Sequence, residues 1–411
     1  MESQTQINTS AQPSQQQQYP ASELLNGRYK KVKRLGEGSY GTVFLAIDTK
    51  PQGIKRKIDP KYLQLLEKVA DKPKNDYEEY NQQQDKDGDT QMKDEEQKQA
   101  LQVLENKQVL FNQNEAFEGV QIQAQDGNQE QLVAIKKFKL NSFNERNGIP
   151  FTALREIKIL QELNHPNIIG LYDVFYIQKT IFLALEYMPH EFTNLIRDQT
   201  IVLKEEHIKN IMFQILCAMD YLHQNFIMHR DLTPGNLLIT NEGTLKLADF
   251  GLAKIYGTPE RQHSAGVVTR EYRAPEVLFD SKFYGPMIDM WSVGCILGEL
   301  MIRLPLFPGR TDIDQLGKIF TLRGSPNNSN WPGVEDLPNY LEFTIKEVKP
   351  LREVFPFANE QCLDLLDKLL QLNPCNRPTA SEALQHPYFT SEAPQMCKNS
   401  ELPLPTKSKK Q

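Results

Sequence analysis

The chain has 411 residues, room for two or three compact units and a sizeable core. Hydrophobic residues make up 39% and charged residues 24%, and the net charge of −6 does not point to nucleic acid or a membrane surface as a partner. The cysteines Cys217, Cys295, Cys362, Cys375 and Cys397 lack metal-ligand spacing and are too sparse for a disulfide framework, which reads as reduced thiols inside a cell. No apolar run has signal-peptide or membrane-spanning length.

Residues 1–26 are polar and Gln-rich, an expected disordered tail. Strand-like segments follow at Tyr29–Leu35 and Thr42–Ile47, with a Gly-rich turn between them. From about 50 to about 130 the chain is dominated by Gln, Lys, Glu, Asp and Asn, a low-complexity insertion. Within it Tyr62, Leu65, Leu66 and Val69, and then Ala100, Leu101, Val103 and Leu104, have helical spacing. The insertion reads either as solvated chain or as a docking element for a partner. After Leu132 the composition turns globular, with a strand, a long helix and further strands near Thr180–Tyr187. Helical patterns then cover Glu205–His223, Tyr284–Leu300 and Glu360–Leu372. Residues 391–411 form a polar tail ending in Lys407-Ser408-Lys409-Lys410, a solvated charge cluster or a nuclear import signal.

Five motifs carry chemistry. Gly36-Glu37-Gly38-Ser39-Tyr40-Gly41-Thr42-Val43 lets backbone N–H groups approach a polyphosphate without Cβ clashes. Strands flank it and no helix follows, which disfavours a dinucleotide fingerprint. In Val133-Ala134-Ile135-Lys136 a lysine sits amid apolar strand residues and needs an anionic partner. Glu156, Leu160 and Leu163 lie on one helical stripe, so the carboxylate is expected to point inward toward a cation, with Lys136 the candidate. His229-Arg230-Asp231-Leu232-Thr233-Pro234-Gly235-Asn236 is followed by Asp249-Phe250-Gly251, and Ala274-Pro275-Glu276 closes the segment. Asp231 is suited to take or orient the proton of an attacking hydroxyl, and Asn236 and Asp249 offer hard oxygen ligands for Mg²⁺ on the phosphates of ATP. Their order and spacing together predict an α+β, bilobal eukaryotic protein kinase fold with a small antiparallel-sheet N-lobe and a larger helical C-lobe. The lobes are placed at 27–187, with the insertion inside, and 188–390.

Residues 27–49 and 131–390 resemble the cyclin-dependent protein kinase family over its whole catalytic domain. Asn147–Glu156 (NGIPFTALRE) resembles that family's cyclin-contacting helix. Thr152–Gly170 and Asp249–Arg270 are similar to the CDK-activating branch, whose catalytic subunit pairs with cyclin H in TFIIH. The resemblance implies a serine/threonine kinase needing ATP, Mg²⁺ and a cyclin H-like partner, with a MAT1-type assembly factor as a third subunit and a nuclear location. Its substrates would be activation loops of other cyclin-dependent kinases and the C-terminal repeats of RNA polymerase II. Leu35, Val43, Ala134 and Leu238 would sandwich the adenine, and Leu185 is the gatekeeper. Glu186 and Met188 would bind the adenine edge through their backbone, and Glu191 the ribose. Asp289 would anchor the catalytic loop, and Arg377 would pair with Glu276. Ser264 aligns with the activating phosphosite, with Arg155, Arg230 and Lys254 as the cations for its phosphate, and Thr258 with a second, proline-directed site. Val267 and Arg273 match residues that shape a pocket for a proline after the target.

Three departures stand out. Thr233 occupies a place where serine/threonine kinases carry a lysine, and loss of one donor at a developing charge costs on the order of a hundredfold in rate. Glu271 replaces the family's tryptophan. Ser39-Tyr40 resembles the inhibitory phosphosites of cell-cycle cyclin-dependent kinases. Two rival readings therefore stay open: a cell-cycle cyclin-dependent kinase controlled at Tyr40, and a pseudokinase that binds a cyclin as a scaffold.

Overall fold

The computed structural model describes residues 24–37, 41–50, 121–123, 129–138, 151–178, 180–257, 268–344, 348–390 and 394–405. The chain divides into two compact units, one comprising residues up to Lys137 together with Phe175–Tyr187, the other Phe138–Val174 and the chain from Met188 onward. No helix among the described residues is long and apolar enough to cross a membrane.

The first unit is built on one curled sheet. Its strands are β1 (Leu24–Leu25), β2 (Tyr29–Glu37), β3 (Gly41–Asp48), β4 (Gln121–Gln123), β5 (Gln129–Phe138), β6 (Leu171–Ile177) and β7 (Thr180–Glu186). The order is β1-β2-β3-β5-β7-β6, with β4 on β5. The expected tail boundary at residue 26 falls inside a hairpin. Leu25 pairs with Tyr29 across a three-residue loop in which Asn26 (φ 52°) and Gly27 (φ 61°) are both left-handed and Arg28 N donates to Leu25 O at 3.1 Å. Tyr29 stacks on Phe175, and Phe175 on Phe182, with centroids 5.1 and 5.2 Å apart. Arg28 grips the buried Asp48 carboxylate with two bonds of 2.7 Å, pinning the end of β3 where the insertion leaves the sheet. Residues 51–120, and with them both helical patterns of the insertion, lie outside the described residues. Its last part does form structure, since β4 pairs with the start of β5 from Gln121↔Gln131 to Gln123↔Gln129.

The second unit is mostly helical: α1 (Phe151–Glu162), α2 (Phe192–Arg197), α3 (Glu205–Gln224), α4 (Pro275–Leu278), α5 (Met287–Ile302), α6 (Asp312–Arg323) and α7 (Glu360–Leu369). Short strands β8 (His190–Glu191), β10 (Leu237–Ile239) and β11 (Leu245–Leu247) form one sheet, and β9 (Ile227–Met228) pairs with β12 (Lys254–Ile255). The sequence assigned residues 138–174 to the first lobe. Their contacts group them with the second unit, because the loop after α1 is bonded into it. Ile168 bridges to Leu247, and Asn167 donates to Gln214 Oε1 at 3.0 Å and to Leu245 O at 2.8 Å.

Helix α3 buries Ile208, Ile211, Met212, Ile215 and Met219 at helical spacing. Helix α5 is apolar almost all round and is buried accordingly, with Trp291 fully covered. It starts at Met287 rather than Tyr284, since Gly285 and Pro286 precede it and Pro286 is its N-cap. It ends on Arg303 (φ 64°), whose guanidinium donates to the carbonyls of Leu195, Ile196 and Asp198 at 2.7–2.8 Å and so closes the end of α2.

The expected polar tail is in part packed chain. Residues 394–405 lie against α3, with Leu402 buried. Asn210 donates to Cys397 O at 2.9 Å, and the buried Lys209 amine donates to Pro394 O at 2.6 Å. Backbone carbonyls do the holding, which composition does not reveal.

Candidate active site

Strand β9 leads into the His229–Asn236 loop, and one buried carboxylate sets its path. Asp289, 1% exposed at the start of α5, accepts from His229 N and Arg230 N, both at 2.9 Å. It also meets His223 Nε2 at 3.1 Å. Burial opposes its ionisation, but the His223 bond and charge, His229 and the Arg230 N–H together hold its carboxyl below the ordinary value. Arg230 takes a left-handed φ of 63°, a conformation that this double anchor sustains.

Asp231 is the next residue, and its carboxylate is held from two sides. Asn236 Nδ2 donates to Asp231 O at 2.8 Å and to Oδ2 at 3.0 Å. Thr269 donates to Oδ1 with its backbone N–H at 3.0 Å and its hydroxyl at 2.9 Å. The sequence reading missed Thr269, since a lone threonine before Arg270 carries no pattern. Thr233 is buried at 7% exposure, and its carbonyl accepts from Asn236 N at 3.1 Å.

Asn236 precedes β10 and Asp249 follows β11, so the β10–β11 hairpin brings these two candidate metal ligands to one end. Ala248 N donates to Asn236 O at 2.8 Å, closing that end. With the Asn236 amide nitrogen committed to Asp231, its Oδ1 is the atom offered to a cation. Asp249 has φ 60° and accepts from Gly251 N at 3.4 Å. Among the described residues no group of three or more His, Cys, Asp or Glu is placed to hold a metal. One amide oxygen and one carboxylate fit Mg²⁺, which keeps waters and substrate phosphates as its other ligands. Phe250 is fully buried, edge-on to His229 at 5.1 Å.

Two of the three expected phosphate-binding cations converge on the segment after Phe250. Arg155 Nη1 donates to Gly251 O at 3.4 Å and Arg230 Nε to Leu252 O at 2.8 Å. Lys254 lies on β12, paired with Met228. Thr258, Ser264 and Val267 lie outside the described residues, as do Gly38, Ser39 and Tyr40. The neighbouring Val268 is described, and it is a backbone outlier at φ 71°, costly for a β-branched side chain. Arg273 compensates by donating to Val268 O from Nε at 3.1 Å and Nη2 at 2.8 Å. Asp312 at the start of α6 receives Arg270 Nε at 2.7 Å and Arg273 Nη1 at 3.2 Å. Glu271, in the tryptophan's place, is half-buried between those two arginines in sequence.

Beneath this segment Glu276 and Arg377 form a buried bidentate pair with bonds of 2.7 and 2.8 Å. Arg377 also donates to the carbonyls of Gln371, Met287 and Leu372 and lies over the Trp291 ring. The pairing expected from sequence is therefore present.

Of the expected nucleotide contacts in the first unit, Ala134 stands opposite Leu185 and Lys136 opposite Leu183 across β5 and β7. Lys136 is 7% exposed and Leu185 is buried, while Glu186, at the end of β7, is half-buried. Gly36 stands opposite Val43, with Leu35 and Glu37 exposed beside it and Gly41 opening β3. In the second unit Leu238 pairs with Glu191, and Met188 is buried. Glu156 on α1 is only 1% exposed, and Leu160 and Leu163 are buried on the same stripe, as the spacing predicted.

The protein kinase domain family matches residues 118–389. Cyclin-dependent kinase 7 of Dictyostelium discoideum is 49% identical over 263 residues, which cover 64% of this chain and 73% of that protein. Cyclin-dependent kinase 7 of Xenopus laevis is 49% identical over 269 residues, or 65% of this chain and 76% of that protein. A chain of the CAK complex from Chaetomium thermophilum, solved bound to ATP-gamma-S, is similar with a TM-score of 0.68 and 32% identity, covering 92% of this chain and 96% of its own.

Proposed function

The chain belongs to the protein kinase family, as a serine/threonine cyclin-dependent kinase of the CDK-activating type, and we propose that it phosphorylates activation loops of other cyclin-dependent kinases and the C-terminal repeats of RNA polymerase II. The substrate classes rest on the likeness to CDK-activating kinases; the observation that carries the phosphoryl-transfer reading is the Asp231 carboxylate, fixed by Asn236 on one oxygen and Thr269 on the other. A carboxylate held this way orients a substrate hydroxyl for in-line attack and takes its proton as the bond to phosphorus forms.

ATP is the phosphoryl donor, a reading that the ATP-gamma-S-bound CAK structure supports. Lys136 and the glycine-rich strands of the first unit serve its phosphates. Leu35, Val43, Ala134 and Leu238 hold the adenine, with Leu185 as gatekeeper, Glu186 and Met188 binding its edge and Glu191 the ribose. Asn236 and Asp249 hold Mg²⁺, which when bound neutralises charge on the phosphates. Glu156 lies on the helix that a cyclin H-like partner seats, and a MAT1-type factor completes the assembly in the nucleus. Ser264 is the activating phosphosite, and Arg155, Arg230 and Lys254 receive its phosphate.

The Arg273 guanidinium bonded to Val268 O supports acceptance of proline after the target residue. Satisfying that carbonyl from within removes the need for a donor on the substrate, and proline has no N–H to give. Phosphosite mapping on a polymerase-tail peptide tests this. Serines followed by proline should be labelled in preference to those that are not, and equal labelling would contradict it.

A further inference from the structure

The β10–β11 hairpin has an open end that carries Asn236 and Asp249, and a turn end that is gripped from outside. Each strand has only three residues, paired as Leu237↔Leu247, Leu238↔Lys246 and Ile239↔Leu245. So short a hairpin does not hold its geometry unaided. The turn from Thr240 to Thr244 is closed by Thr240 N donating to Thr244 O at 2.9 Å. Gly243, at φ +77°, is its tip.

The C-terminal segment presses on that tip. A Cβ at Gly243 would fall 1.9 Å from Asn399 O, so the two backbones touch where only glycine fits. Buried amides tie the segment and the turn to one helix. Asn210 Nδ2 donates to Cys397 O and to Asn399 Oδ1, both at 2.9 Å. Asn210 Oδ1 accepts from Gln214 Nε2 at 2.7 Å, and the same nitrogen donates to Gly243 O at 3.2 Å. Gln214 Oε1 accepts from Leu245 N at 2.8 Å, the first residue of β11. The chain of bonds thus runs from the segment through α3 into β11, two residues beyond whose end stands Asp249.

We propose that residues 397–399 are a positioning strap, which through Asn210 and Gln214 sets the hairpin and thereby the placement of Asn236 and Asp249 for a divalent cation. The inference rests on the reading of those two residues as metal ligands. None of the strap's own groups touches the metal, so its effect is on how well the ligands are placed.

The test uses the full chain with its co-purified cyclin. Mn²⁺ affinity is measured by electron paramagnetic resonance with a non-hydrolysable ATP analogue present, beside amide exchange over 237–247. Asn399→Ala removes the strap's side-chain bond to Asn210, a chain ending before Pro394 removes the strap, and Gly243→Ala expels it from the turn side. Asn399→Ala keeps the strap backbone and serves if either of the others fails to fold. Each variant should bind Mn²⁺ about tenfold more weakly, the scale of losing a partner that orients a metal ligand, with faster exchange at 240–245. Wild-type Mn²⁺ affinity in a variant whose strap has come away would overturn the inference, and so would unchanged exchange in the truncated chain. A wild-type chain that takes up no Mn²⁺ with nucleotide would overturn the metal-site reading itself, and this inference with it.

Discussion

Thr269 gives both its backbone N–H and its hydroxyl to one oxygen of Asp231, at 3.0 and 2.9 Å. The segment ahead of Ala274-Pro275-Glu276 thus aims the carboxylate proposed to receive the substrate proton. Thr269→Val removes the hydroxyl at nearly constant volume. We expect kcat to fall about tenfold or more, with the KM for ATP little changed, as for loss of one preorganised donor. Thr269→Ser should recover most of the loss, and steady-state kinetics on the three proteins checks both expectations.

Thr233 leaves the catalytic loop without its usual cation. Gly235 beside it has no Cβ, and one built there would stand an ordinary 3.7 Å from Thr233 Oγ1. Thr233→Lys should therefore raise kcat, by about tenfold if a new donor meets the transferring phosphoryl group. An unchanged kcat in rapid-quench kinetics would mean that another group already supplies that charge.

Arg377 spends its guanidinium on Glu276 and three backbone carbonyls in a buried site. A lysine cannot reproduce that fork. Arg377→Lys should cost about 3 kcal/mol or more, as expected for a broken buried pair, read from the denaturation midpoint. Glu276→Gln should fall in the same direction.

Burial lifts the Glu299 carboxyl above its ordinary value, and the Tyr272 hydroxyl bond of 2.6 Å and Arg197 only partly oppose this. Its pKa is higher folded than unfolded. The folded state therefore holds the proton more tightly, and the contribution is full at acid pH and lost as pH rises through the folded pKa. Glu299→Gln keeps an acceptor for Tyr272 without the charge. The variant should melt higher than the wild type at neutral pH, and the gap should close as the pH falls below the ordinary carboxylate range.

Much of this was legible in the sequence because motifs and periodicity report local chemistry. The strands around the glycine-rich turn, the buried stripe of Glu156, Leu160 and Leu163, and the Glu276–Arg377 pair follow from spacing or from family resemblance. Thr269 did not, because its role depends on a hydrogen bond to a residue 38 positions away. Val268 did not either, since a left-handed valine is chosen by its surroundings and not by its side chain. The packed segment 394–405, with the strap inside it, reads as polar tail because most of its ties to α3 run through backbone carbonyls, and every residue has one.

Phosphoryl transfer itself decides whether the chain is a kinase of this type. The chain would be isolated from cells with its cyclin and given radiolabelled ATP, an inactive cyclin-dependent kinase and a polymerase-tail peptide, with Asp231→Asn in parallel. Label is expected on the activation loop of the inactive kinase and on tail serines, and lost in the variant. No transfer above the Asp231→Asn control, with cyclin bound and Ser264 phosphorylated, would contradict it.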